Sequence, residues 1–462
     1  MSPYLAVLLL YSIFLIAIGW WTSRSVRRAE DFFVAGRRLS PTLLFCTLLA
    51  ANLGAGSTVG ATGIGYTHGL SAWWWVGSAG IGSLILGLTV GPRMWRVASV
   101  HNLYTVGDYL EYRYNRTIRV LIAGLLWFGS LAILAGQLIP LAWILHLVLG
   151  LPKTLGCLAG GAVVVLYFAF GGLTSTVRVN MVQLVVKMSG FICAFVVILD
   201  AGGLLDTVGF SETGFTAWFG DNPSQIWSYF IVLVPAFIVS PGLLQKIYGA
   251  RNEKAVRQGV CINAVALMLF AFIPALLGIA AYQAFPSLAS QDLALPRLLM
   301  EALPFWIGCL TLAAVFSAEI SSADAVLFML TTSLSRDLYQ TYIEPDASEQ
   351  RMLSVSRITA VVAGLAGAAL AVILPDIITA LTIFYSILSV ALFVPLIAGL
   401  YSSKPTANGA LTTIIGSVLV MIVVQLYTAG VGIGGISPTT WGIGIAVIIM
   451  VLHILSKRKI TQ

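Results

Sequence analysis

The sequence predicts an all-α membrane protein of about thirteen transmembrane helices, forming a single transmembrane domain over residues 1–462. Three observations carry this. Of the 462 residues 59% are hydrophobic and only 9% are charged. Thirteen apolar stretches follow one another along the chain. The basic residues gather in every second gap between those stretches. An average soluble domain carries roughly 25% charged residues, so this chain has too little polar surface to face water. A soluble enzyme, a nucleic-acid binder and a disulfide-stapled secreted module are excluded. The net charge of +7 follows from where the basic residues lie.

A spanning helix needs about 20 mostly apolar residues. On that scale the segments are 3–22, 41–67, 71–92, 120–149, 153–171, 179–201, 224–243, 259–283, 303–333, 354–374, 376–400, 408–427 and 438–456. With the N-terminus outside, 22 of the 25 Lys and Arg fall on the cytoplasmic side. Only Lys153 and Arg297 fall outside, and Lys187 lies within a helix. This is the positive-inside asymmetry, and it puts the C-terminus in the cytoplasm. The first segment does not read as a cleaved signal: no basic residue precedes it, and Arg24 follows it. The expected location is a plasma membrane, of the bacterial inner-membrane kind.

All five cysteines (Cys46, Cys157, Cys193, Cys261, Cys309) sit in apolar segments with no CxxC spacing, so they read as buried apolar side chains. The four histidines are scattered and mark no metal site. No HExxH, paired-carboxylate or nucleophile constellation appears, so no enzyme is expected. No organic cofactor, nucleic acid or obligatory protein partner is indicated.

Two segments carry helix breakers. The second reads Ala50-Ala51-Asn52-Leu53-Gly54-Ala55-Gly56-Ser57, with glycines that weaken a helix. The seventh reads Pro235-Ala236-Phe237-Ile238-Val239-Ser240-Pro241-Gly242, where prolines remove backbone hydrogen bonds. The two lie five segments apart and cross in opposite directions. That fits an inverted five-plus-five repeat, with first helix and loop at 1–40, repeats at 41–201 and 224–400, and two extra helices in 401–462. Interrupted helices in matching places of two repeats mark transporter sites. Single kinks are also ordinary in membrane helices.

Four motifs in order resemble the sodium:solute symporter family, a branch of the LeuT-type fold. They are Phe32-Phe33-Val34-Ala35-Gly36-Arg37; Thr105-Val106-Gly107-Asp108-Tyr109-Leu110-Glu111-Tyr112-Arg113-Tyr114, with Gly107 where the family usually has Pro; Gln245-Lys246 with Gly249-Ala250-Arg251; and Ser321-Ser322-Ala323-Asp324 ahead of Asp337-Leu338-Tyr339. The resemblance covers nearly the whole chain. It implies a sodium-coupled symporter that imports a small organic solute by alternating access.

Ala318, Ser321 and Ser322 share one helix face and offer hard oxygen ligands without net charge. Hydroxyls so placed also bond helix to helix. The resemblance implies a Na+ site on this face, completed by backbone carbonyls of Ala50 and Leu53. Three charges lie inside the membrane, where each is costly and functional by default: Lys187, Glu319 and Asp324. With Asn180, which stands where the family often has Asp, they form a possible second ion or coupling site. Lys187 either fills the cation position, as in some proton-coupled transporters of this fold, or pairs with Asp324. Glu319 lies about 140° from Asp324 around the helix, so one partner does not serve both.

Solute is expected between the broken helices, lined by Asn52, Ser57, Val76, Gln137, Phe237, Ser240 and Tyr385. Sugar-carrying members tend to have Gln and Glu at the positions of Ser57 and Val76, which argues against a hexose here. An amino acid or short organic acid is expected. The Trp73-Trp74-Trp75 run reads as packing or interfacial anchoring. The rival reading is proton-coupled or uncoupled transport with Lys187 at the cation site. A sensor is disfavoured by the short tail after the last segment, and a channel would give ion currents far exceeding solute flux.

Overall fold

The computed structural model describes residues 3–23, 37–171, 176–200, 215, 217–220 and 223–458. Phe32 to Gly36 of the first motif lie outside the described residues, as do Arg24, Arg27, Arg28 and Lys459. Among the described residues the protein is helical, with two isolated bridges, Leu39–Ala250 and Ile433–Ile436. Among the described residues ten helical spans are long and apolar enough to cross a bilayer. Pro3–Leu15, Pro41–Asn52 and Lys153–Val165 are shorter apolar helices.

The first helix, α1, spans Pro3–Ser23. The expected segment 41–67 is two helices, α2 (Pro41–Asn52) and α3 (Val59–His68), joined by a single 3-10 turn at Ala55–Ser57. α3 ends at His68, where Gly69 takes φ +63°, and a 3-10 turn at Gly69–Ala72 leads into α4 (Trp73–Ile85), so the second and third expected segments are separate helices. Next come α5 (Arg116–Leu149), α6 (Lys153–Gly171) and α7 (Thr176–Asp200). The seventh expected segment is also broken, into α8 (Pro223–Val239) and α9 (Pro241–Tyr248), with Ser240 between them. Then follow α10 (Glu253–Phe270), α11 (Phe272–Ala284), α12 (Phe305–Thr332), α13 (Glu349–Ile373) and α14 (Ile377–Ile387). The last two are α15 (Ala407–Tyr427) and α16 (Pro438–Arg458).

The site rests on how α2 is held. It packs on α7, α10 and α12, and α7 and α12 pack closely on each other. With little hydrophobic driving force between helices in lipid, such contacts depend on close packing and hydrogen bonds.

Arginines tie down one end of the bundle. Arg37 donates to Tyr248 O, Ala98 O and Leu103 O. Arg113 donates to Gly399 O, Ser402 O and Pro405 O. Arg119 pairs with Asp108 at 2.9 Å and Glu111 at 2.6 Å. The family-like motif around Thr105 is thus a set of end clamps.

At the other end Asp292 is fully buried and its Oδ2 accepts from Ile377 N at the start of α14. Burial is the main force pushing its carboxyl up to about 7, and nearby Asp376 adds to it. The Ile377 N–H and Lys153 pull the other way. An unfolded Asp titrates near roughly 4, so the folded protein holds this proton more tightly. Its contribution to stability therefore falls as pH rises from about 4 through about 7. Asp292→Asn keeps an acceptor for Ile377 and removes the charge. The expected outcome is a higher Tm than wild type at pH 8, with the difference vanishing at pH 4.5, measured by thermal unfolding in detergent.

Candidate ion and solute site

The centre of the molecule is the gap between α2 and α3. Leu53 leaves helical geometry at φ −87°, ψ 83°, and Gly54 is extended. The gap frees carbonyls at the end of α2 and amides at the start of α3. At this depth both sets need protein partners. On the amide side, Ala55 N donates to Gln137 Oε1 at 2.9 Å and Gly54 N donates to Ser57 Oγ at 3.1 Å. The Thr58 hydroxyl reaches Gly54 O at 2.9 Å and Glu319 Oε1 at 3.2 Å. Gly54 is required by contact: a Cβ there would overlap the Ser322 hydroxyl and lie 2.8 Å from Gln137 Oε1.

On the carbonyl side the partner is a cation. Lys187 of α7 is wholly buried. Its ammonium donates to Ala50 O at 2.7 Å, Leu53 O at 3.0 Å and Ser321 Oγ at 2.5 Å. These are three of the five positions at which a Na+ ligand was expected. The other two are also engaged. Ala318 O accepts from Ser321 Oγ at 3.3 Å, and Ser322 Oγ donates to Ala51 O at 3.3 Å.

The expected pairing of Lys187 with Asp324 is not what the side chains do. Lys187 feels Glu319 and Lys246, and Asp324 feels Lys246. Two lysines thus serve two acids, consistent with their angular separation on α12. Asn180 is buried at the α7 face two turns from Lys187. Glu319 Oε2 has no hydrogen-bond partner among the described residues.

Beside the gap lies a cavity of about 220 Å³. All seven expected solute residues line it: Asn52, Ser57, Val76, Gln137, Phe237, Ser240 and Tyr385. Phe237 and Tyr385 meet at 5.5 Å between ring centres. Asn52 is held by Asn263, its Nδ2 donating to Oδ1 at 3.3 Å. The cavity runs from Trp75 and Gly56 to Leu39, Lys246 and Gly249, toward the arginine-clamped end.

Trp75 departs from a pure packing role, since it lines the cavity with its ring edge-on to Tyr229 and Tyr385. Trp73 and Trp74 do anchor, donating to Met268 O and Trp218 O. Sequence reasoning missed Thr58, Asn263, Lys246 and Gln245 as site residues. The Gln245-Lys246 motif was a usable signal, because it sits one turn past the second break. Thr58 and Asn263 carried none.

Gly54→Ala is expected to destabilise by about 1–3 kcal/mol through overpacking, read as a lower Tm. Gly444→Ala, at an exposed helix position where a Cβ meets nothing within 4 Å, is the control and should not lower Tm, since Ala favours helix over Gly.

Comparison with known proteins agrees with this fold. The model of the sodium:solute symporter family matches residues 32–417. Among curated relatives, a sodium/glucose cotransporter of Vibrio parahaemolyticus is 24% identical, over 89% of this chain and 83% of its own. A sodium/pantothenate symporter of Escherichia coli (strain K12) is 27% identical, over 89% and 87%. The fold matches that of a Na+-coupled sialic acid symporter in a substrate-bound outward-open state, with a TM-score of 0.80. That match covers 98% of this chain and 96% of the other at 18% identity, so it speaks for the fold. The chain is an integral multi-pass membrane protein with a LeuT-type fold, and it belongs to the sodium:solute symporter family.

Proposed function

We propose that this protein is a secondary active symporter that carries a short organic acid by alternating access, coupled to a cation that acts at the gap between α2 and α3. The carrying observation is that Ala50 O, Leu53 O and Ser321 Oγ converge on one positive charge. A cation at that point ties α2 to α12 and so controls the wall of the solute cavity. Family membership and the sodium-coupled relatives support Na+ as the coupling ion; its ligands on this reading, Ala50, Leu53, Ala318, Ser321 and Ser322, receive it only when the Lys187 ammonium leaves Ala50 O, Leu53 O and Ser321 Oγ. Asn180, Glu319 and Asp324 are the groups for a second ion.

The solute class follows from charge. Among the described residues that line the cavity, the one charged side chain is Lys246, and no acid lines it. Lys246 Nζ donates to Thr47 O at 3.1 Å. A carboxylate solute would meet this ammonium and the amides of Asn52, Gln137 and Gln245. An amino acid would bring its own ammonium to a cavity without a counter-charge. The aromatic walls Trp75, Phe237, Phe384 and Tyr385 suit an apolar body.

A second reading is favoured by one observation, the Lys187 ammonium seated on the same oxygens. In it, transport is proton-coupled or uncoupled.

Uptake of lactate, pyruvate, pantothenate, proline and glucose into proteoliposomes, with Na+ and pH gradients imposed separately, tests both. Carboxylate accumulation driven by Na+ and lost in choline is expected on the first reading. Accumulation indifferent to that exchange leaves the second. Lys246→Met should weaken carboxylate uptake by at least about tenfold, equivalent to about 1.4 kcal/mol, and Lys246→Arg should restore much of it. Proline uptake undiminished by Lys246→Met would remove the case for an organic acid.

A further inference from the structure

We infer that the ammonium of Lys187 is the resident cation of the α2–α3 gap, so that this position takes no free Na+ while the lysine is in place. This rests on the second reading above and deepens it from a coupling question to an occupancy.

An ammonium has three donors and no acceptor. Lys187 spends all three, on Ala50 O, Leu53 O and Ser321 Oγ at 2.7, 3.0 and 2.5 Å. Two of these oxygens belong to the C-terminal end of α2, where the helix dipole itself favours a positive charge. The third comes from α12, and the lysine comes from α7. One charged group therefore joins three helices, as a bound metal ion would. A Na+ placed among the same oxygens would coincide with Nζ. The neighbouring ligands offer no second seat, because Ser321 Oγ also leans on Ala318 O and Ser322 Oγ is turned to Ala51 O.

The charge is balanced locally. Glu319, also wholly buried, lies across the gap on the amide side, bonded to Thr58 and within electrostatic reach of Lys187. The gap thus carries a tethered cation at its carbonyl end and a tethered acid at its amide end. The other charges in this region, Lys246 and Asp324, act on one another electrostatically.

This predicts a gain of sodium dependence on removing the lysine. Lys187→Ala leaves the carbonyl end and the Ser321 hydroxyl without a cation and opens room for one. Lys187→Met keeps the stem's packing and removes only the charge. The measurement is Tm of the full chain in nanodiscs, in NaCl against choline chloride at equal ionic strength. Wild type should show no sodium-specific shift. Lys187→Ala should be less stable in choline and regain several degrees in NaCl, saturably, and Ser321→Ala added to it should abolish the gain.

A saturable sodium shift in wild type that disappears in Ser321→Ala would overturn the inference, and so would two folded lysine variants that both ignore Na+. If neither variant folds, the wild-type comparison alone decides. Failure of the transport reading looks different: no solute moves under any gradient while the Tm pattern stands.

Discussion

A helix interrupted inside a bilayer leaves peptide groups that hydrocarbon cannot satisfy, and the core of this protein is arranged around that constraint. At the α2–α3 gap five of the freed groups have named partners. Gln137 and Ser57 take the amides, the Thr58 hydroxyl takes Gly54 O, and Lys187 takes Ala50 O and Leu53 O. The partners come from α5, α7 and the chain's own turn. The gap is therefore not a loose hinge. It is a junction at which several helices are fixed relative to one another, and a change in any one partner is felt by the rest.

The charges follow from the same constraint. Buried ions are tolerated when they are paired and hydrogen-bonded. Lys187 and Glu319 sit at opposite poles of the gap, with helix ends of the sign each prefers. Lys246 and Asp324 form a looser couple nearer the arginine-clamped end. Lys246 differs from the others in lining the cavity, which makes it the charge a solute would meet.

How much of this was legible in the sequence depends on whether the signal was local. Both helix breaks were readable, because glycine and proline act on their own backbone. The placing of Ser321 opposite Ala50 came with the family resemblance. The cavity lining was readable in part, since residues near two breaks face the same space. The division between α3 and α4 was readable too, since the apolar runs part at the 3-10 turn Gly69–Ala72. The partner of Glu319 was hidden. Thr58 is one hydroxyl among many, and only the fold brings α12 against the first turn after the gap. Lys187 was recognisable as costly, but two destinations were open to it, and distances decide between them: its three bonds go to α2 and Ser321, and none goes to Asp324.

Seating a lysine on the α2 carbonyls changes the energetics of transport more than its geometry. A mobile Na+ crossing inward gains about 2.3 kcal/mol per 100 mV, and it drives solute only if it binds one orientation better than the other. A tethered ammonium can stabilise the same helix junction, yet it is never released, so it contributes no such gain. The far end of the molecule is closed by bonds of another kind. Tyr66 OH donates to Phe285 O and accepts from Leu288 N, and Trp74 Nε1 donates to Trp218 O. Those bonds must break for the cavity to open there. Whatever opens that end therefore has to act through a group other than a fixed Lys187. The remaining means are a cation bound elsewhere, a proton, or the solute's own contact with Lys246 and the cavity wall.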